Sequence, residues 1–257
     1  MFTKILYINL DRREDRNNHM LEQLKKINWT GEIERISGID KLTLNYNDLD
    51  KIITPRAYNE VLNELNISTV PPGSYMSSGA VGCALSHRKA WINIKNNNHK
   101  KTLILEDDIF FDDDFNEKLN TYLNYIPDYE LLYIGYHNLL DSSRIYNNYY
   151  NIPNSTVFGL YGYIVDKSII DKLLSIFPIN TQIDSYIMKI YPEIKVFQLE
   201  ENKRIIHSEH SFTNKFGTDI QIIENYTNIN TNQNHISINI IIFICIILYI
   251  VYNIILK

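Results

Sequence analysis

Apolar residues in this chain fall into short unbroken runs separated by stretches of helical periodicity. Lys4-Ile5-Leu6-Tyr7-Ile8-Asn9-Leu10 is a β-branched apolar run and predicts a buried first strand. A charged loop from Asp11 to Arg16 follows, then a helical stripe at Met20, Leu21, Leu24 and Ile27. Glu32 to Ile36 predicts a second strand, ending at Gly38 and Asp40. Between Lys41 and Ser78 the breakers Pro55, Pro71, Pro72 and Gly73 predict loop with short helices. Gly79 to Lys95 predicts a helix with Val81, Ala84, Leu85, Trp91 and Ile92 on one face and Ser78 as N-cap. Thr102 to Leu105 is a short buried strand that runs into Glu106-Asp107-Asp108. Beyond it the pattern gives a helix Phe115–Tyr125, strands Leu131–Tyr136 and Tyr161–Val165, and a helix Lys167–Phe177. A helix Asp184–Ile190 and strands Lys195–Leu199 and Arg204–His207 complete the series. Strands in continuous apolar runs, alternating with helices, predict an α/β fold with a mostly parallel central sheet and helices on both faces.

The pattern breaks late. Residues 225–235 are polar and linker-like, and 236–256 are almost entirely Ile, Leu, Phe, Val, Tyr and Cys, with no charge before Lys257. Roughly 20 apolar residues span a bilayer core, so this run predicts a transmembrane helix. The expected organisation is a globular domain 1–224, a linker 225–235 and a membrane tail 236–256. The N-terminal run turns charged and has no cleavage-site pattern, so it does not read as a signal peptide. A lone C-terminal span predicts a tail anchor that leaves the globular part on the cytosolic side, at a cytosol-facing or virion membrane.

Composition narrows the classes. With 257 residues and 45% apolar content the chain is no disordered polymer and can bury a sizeable core. Two cysteines cannot staple it. Twenty-five basic against thirty acidic residues give 25 − 30 = −5, which argues against nucleic acid as a partner. The 43 Ile and 31 Asn fit AT-rich coding, so the Asn runs carry no signal.

Three groups of residues carry candidate chemistry. Ligands of open α/β sheets bind at the carboxyl ends of strands, and Glu106-Asp107-Asp108 stands at such an end. Crowded carboxylates repel unless a cation lies between them, and oxygen ligands suit Mn²⁺ or Mg²⁺; a solvated acidic loop is the alternative. Asp112-Asp113-Asp114 reads as solvated surface. Arg12, Arg13 and Arg16 follow the first strand, where phosphates are received, or else form a surface run balanced by Asp11, Glu14 and Asp15. Ser86-His87 lies on the helix before the acidic strand, with Cys83 read as a small core residue. His207 and His210 flank Glu209 and read either as completing a metal site or as surface histidines. The glycine-rich dinucleotide and P-loop fingerprints are absent from the sequence.

Taken in order, Tyr7-Ile8-Asn9-Leu10-Asp11-Arg12-Arg13-x-Asp15-Arg16, Arg35-Ile36-Ser37-Gly38-Ile39-Asp40, Gly79-x-x-Gly82-Cys83-Ala84-Leu85-Ser86-His87, Leu105-Glu106-Asp107-Asp108, Gly159-x-Tyr161-Gly162-Tyr163-Ile164 and Ile183-Asp184 form a series. It resembles glycosyltransferase family 25, which includes lipopolysaccharide β-galactosyltransferases and collagen galactosyltransferases. The match runs from residue 3 to about 220. The resemblance implies a GT-A-like nucleotide-sugar transferase fold, a UDP-linked donor, a glycan, lipid or protein acceptor, and metal-assisted inverting transfer with Mn²⁺ or Mg²⁺. It places Asn9, Leu10, Arg12, Arg13, Arg16, Asp40, Ser86, His87 and Asp107 at the nucleotide sugar. Glu106 and Asp108, joined by His207, would hold the metal, and Asp184 would be the catalytic base. A pair of acids is more usual at that last position, whereas this chain has Ile183-Asp184-Ser185. The competing readings are a glycoside hydrolase, which needs two acids across one groove, and a catalytically dead, membrane-tethered carbohydrate-binding module.

Overall fold

All six residues of the first strand are buried, Lys4 and Asn9 included, which puts that strand inside a sheet covered on both faces. The computed structural model describes residues 2–63, 76–137, 143–208 and 216. Through them the chain runs β1 (Lys4–Asn9), α1 (Glu14–Lys26), β2 (Glu32–Ser37), α2 (Pro55–Leu62), α3 (Ser78–Asn96), β3 (Lys101–Glu106), β4 (Ile109–Phe111) and α4 (Phe115–Leu123). It continues with β5 (Leu131–His137), β6 (Ser143–Ile145), β7 (Tyr150–Pro153), β8 (Phe158–Asp166), α5 (Ile170–Ser175), α6 (Ile183–Ile187), β9 (Val196–Leu199) and β10 (Ile206–Ser208).

The main sheet has the order β2-β1-β3-β8-β5-β9-β7-β6. β1 is parallel to both β2 and β3, and β9 is parallel to β5. β8 lies antiparallel between β3 and β5, and β7 antiparallel to β9. The mostly parallel α/β sheet expected from the apolar runs is therefore present, with a reversed strand at its centre. Side chains alternate across it. Leu6, Ile8, Ile104 and Tyr163 join a core with α3, α5 and α6, while Ile5, Tyr7, Leu103 and Leu105 join a second core with α1 and α4. Helices cover both faces.

Two features of this topology build the site. The register sets Ile8 opposite Glu106, so the turn after β1 and the acidic stretch after β3 emerge side by side. Because β8 is reversed, Leu105 pairs with Gly162 and the start of β8 arrives at the same edge.

Several local expectations are corrected. The cap of α3 is Ser77, whose Oγ accepts from Ala80 N–H at 3.0 Å, because the helix starts one residue early. Its inner stripe is Ala80, Ala84, His87, Trp91 and Ile94, while Ile92 is exposed; neighbours on a helix cannot share a face. Glu14 to Arg16 belong to the first turn of α1 and not to the loop. The last predicted strand is shorter and sits apart, in a ribbon of β10 with β4. Among the described residues no helix is long and apolar enough to cross a membrane; the linker 225–235 and the apolar run 236–256 lie outside them, as do Glu209 and His210.

Candidate active site

At this shared edge a cleft of about 80 Å³ opens to solvent. Leu10, Arg12, Arg16, Ile39, Asp40 and Lys41 form one wall, and Gly79, Cys83, Ser86, His87, Glu106 and Asp107 the other.

The walls are held by a network that begins at Asn9. The buried Asn9 amide donates to Asp107 Oδ2 at 2.7 Å and to the Arg13 carbonyl at 3.1 Å, while its oxygen accepts from Arg35 Nε at 2.9 Å. Both amide hydrogens are thus spent inside the protein, and Asn9 shapes the turn without lining the cleft. Arg16 donates to Asp107 Oδ1 at 3.0 Å and lies 3.5 Å from Asp108 Oδ2. Burial pushes Asp107 above the usual carboxylate range, and Arg16 and Asn9 pull it back. Arg12 donates to Asp40 Oδ2 at 2.5 Å, while Asp40 Oδ1 caps a 3₁₀ turn at Leu42 N–H. Arg13 turns away, toward Asp15 and the Phe216 carbonyl.

On the opposite wall, Ser86 Oγ donates to the Gly82 carbonyl at 2.7 Å and accepts from Ile39 N–H at 2.8 Å. That contact requires α3 to lie against the Ile39 backbone. A Cβ at Gly82 would come 2.6 Å from the Ile39 oxygen, so only glycine fits there. His87 is buried, with Nδ1 3.0 Å from the Tyr163 hydroxyl and Nε2 3.3 Å from Glu106 Oε1.

Asp108 is the electrostatic focus. Burial raises its carboxyl to about 7, with Arg16 opposing and the charges of Glu106 and Asp107 adding to the rise. Its Oδ1 is buried and, among the described residues, has no hydrogen-bond partner. A buried carboxylate oxygen without a partner is costly, and either a proton or a cation satisfies it. Glu106 and Asp108 offer carboxylate oxygens of the kind a divalent ion takes, while the metal-sized cluster among the described residues is Cys83, His87 and Glu106.

Asp184 sits on α6, facing the start of β8. Its Oδ2 accepts from Gly159 N–H at 3.2 Å and its Oδ1 from Ser185 N–H at 2.7 Å. Gly159 has φ of +78°, a conformation natural to glycine, and it turns this N–H toward the carboxylate. The N-cap of α6 is Gln182, so Asp184 does not serve as the cap. Burial raises Asp184, the two N–H groups lower it, and the charge of Glu106 raises it further.

Among the expected metal ligands, His207 stands apart. On β10 its Nε2 lies 2.9 Å from Asp112 Oδ1, and among the described residues no metal-sized cluster includes it. β10 pairs with β4, which turns His207 toward the Asp112 loop. Asp112 and Asp114 also pair with Lys118, and Asp113 with Lys26. Cys83, read from sequence as a small core residue, lines the cleft; its spacing of four residues from His87 on one helix was the available signal for more.

The model of glycosyltransferase family 25 (LPS biosynthesis protein) matches residues 2–187, and the chain belongs to this family. Among similar proteins, procollagen galactosyltransferase 2 of Homo sapiens is 27% identical over 215 residues, 78% of this chain and 32% of that one. Procollagen galactosyltransferase 2 of Mus musculus is 33% identical over 141 residues, 52% of this chain and 21% of that one. The chain thus spans about a third or less of these relatives. A solved structure, the apo-form glycosyltransferase GlyE of Streptococcus pneumoniae TIGR4, overlays with a TM-score of 0.44 at 9% identity, covering 89% of this chain and 60% of that one.

Proposed function

We propose that the chain is an inverting hexosyltransferase of GT-A type. It moves a hexose from a nucleotide sugar, UDP-linked, to a glycan, lipid or protein acceptor. The observation that carries this reading is the buried, unpartnered Oδ1 of Asp108, set at a strand end beside the cleft that Arg12 and Arg16 line. Membership of glycosyltransferase family 25 and relatives named as galactosyltransferases support the reaction class.

Glu106 and Asp108 would hold a divalent ion, Mn²⁺ or Mg²⁺. When bound, such an ion supplies Lewis-acid neutralisation of the diphosphate leaving group. Arg12 and Arg16 line the path of the phosphates and add positive charge there. Asp184 accepts the proton of the acceptor hydroxyl as that oxygen attacks the anomeric carbon opposite the leaving diphosphate. Its two backbone donors favour the ionised form and fix the carboxylate plane, so the free lone pairs are aimed before substrate arrives. The apolar run 236–256 anchors this domain to a membrane.

A panel of UDP-sugars with Mn²⁺, read by UDP release with and without acceptors, tests the proposal. Asp108→Asn should abolish metal-dependent release while leaving the far-ultraviolet circular dichroism unchanged. Wild-type turnover in that variant would overturn the metal assignment. Donor binding without any turnover would mean a binding module, and turnover of a glycan without a nucleotide sugar would mean a hydrolase.

A further inference from the structure

One cluster at the cleft combines Glu106 with two groups, Cys83 and His87, to which the proposed transfer gives no chemical step. Cys83 and His87 are four residues apart on α3 and share a face, and Glu106 reaches the same point from the end of β3. Ligand atoms of Cys83, His87 and Glu106 all lie within 4.8 Å of one another. Tetrahedral zinc, with bonds of about 2.0–2.3 Å, sets its ligand atoms roughly 3.3–3.7 Å apart. The His87 Nε2 to Glu106 Oε1 separation is already 3.3 Å. Closing the rest takes about 1 Å, within the reach of the half-buried Glu106 and Cys83 side chains.

The ring of His87 is held from its far nitrogen. Its second nitrogen, Nδ1, lies 3.0 Å from the Tyr163 hydroxyl, and that hydroxyl accepts from Trp91 Nε1–H at 2.9 Å. Such a partner on the far nitrogen fixes ring orientation and aims the other nitrogen at the ion. Burial first, and then the charges of Glu106, Asp184 and Asp108, push the Cys83 thiol well up, so the empty cluster holds it as S–H. A thiol, an imidazole and one carboxylate select zinc over magnesium or manganese, which prefer oxygen alone.

We propose that Cys83, His87 and Glu106 form a Zn²⁺ site with three protein ligands and one open position. As the zinc–sulfur bond forms, the Cys83 S–H proton leaves to solvent. Nε2 of His87 gives its lone pair to the ion, and the ring carries its proton on Nδ1, toward the Tyr163 oxygen. One proton is released for each ion bound. The site stands independently of the transferase reading. Where both hold, zinc takes Glu106 from the donor's cation and blocks transfer.

Cobalt(II) added to the full chain in detergent tests this by absorption. One equivalent should produce a thiolate-to-cobalt charge-transfer band in the near ultraviolet together with tetrahedral bands in the visible. One equivalent of Zn²⁺ should remove both. Cys83→Ser should abolish the charge-transfer band, whereas Cys245→Ser, which alters the chain's other cysteine, should leave it intact. Tyr163→Phe, which removes the group orienting His87, should weaken Zn²⁺ binding about 10–100-fold. Calorimetric titration of Zn²⁺ in two buffers should show about one proton released per ion. No band in a wild-type protein that unfolds cooperatively, or a band that survives Cys83→Ser, would overturn the site.

Discussion

The guanidinium of Arg16 donates to Asp107 Oδ1 at 3.0 Å, joining residues 91 positions apart in the chain. Both side chains are nearly buried, at 10% and 8% exposure, so the pair replaces water for two charges at once. It also sets Arg16 within 3.5 Å of Asp108, which ties α1 to the acidic end of β3.

Removing one partner of a buried pair leaves the other charge uncompensated, which typically costs about 3–5 kcal/mol. Arg16→Met should lower the stability of the domain by that order in urea unfolding. A change within experimental scatter would mean that the pair is solvated and merely ornamental.

Stability should depend on pH through Asp108. Its folded carboxyl titrates at about 7, above the unfolded value of 3.8, and burial is the main cause. Between those values the folded protein keeps a proton that the unfolded chain has released, so stability falls as pH rises through the window. The slope is at most about 1.4 kcal/mol per pH unit for one group. Asp107 and Asp184 are raised in the same direction and add to it. Asp108→Asn removes one contribution, so its stability should gain on wild type as pH rises from about 5 to about 7. Parallel curves for the two proteins would refute the buried-carboxylate account.

Asp184→Asn should slow transfer by about 10²–10⁴-fold, the usual worth of a general base, with donor affinity unchanged. The amide oxygen can still accept from one of the two backbone N–H groups, so the fold should survive. Near-normal transfer would reduce Asp184 to an anchor for Gly159 and the start of β8.

Deleting the residues after about 225 should give a protein that stays in solution without detergent and keeps its nucleotide-sugar binding. The basis is the uncharged run 236–256 set behind a polar linker. A truncated chain that fails to fold would assign the run to the core instead.

The sequence alone determined the elements whose signal is local. The apolar run of β1, the helical stripe of α1 and the strand Thr102–Leu105 running into acids all read directly from periodicity, as did the two-faced α/β layout they imply. Weak, non-local pieces were missed. β4, β6 and β7 have three, three and four residues and exist only because other strands pair with them.

Tertiary structure alone decided what each candidate side chain does. Asn9 and Asp40, both placed at the nucleotide sugar by the family resemblance, bond to Asp107, Arg13, Arg35, Leu42 and Arg12, contacts that no local pattern announces. His207, read from sequence either as completing a metal site or as a surface histidine, is carried by the β4–β10 ribbon to Asp112. Cys83 looked like a small core residue until β3 brought Glu106 beside it. The physical reason is the same in each case. Periodicity reports which face of an element is buried, whereas the partner of a polar atom is fixed by strand order and register, and the reversed β8 sets both at this edge.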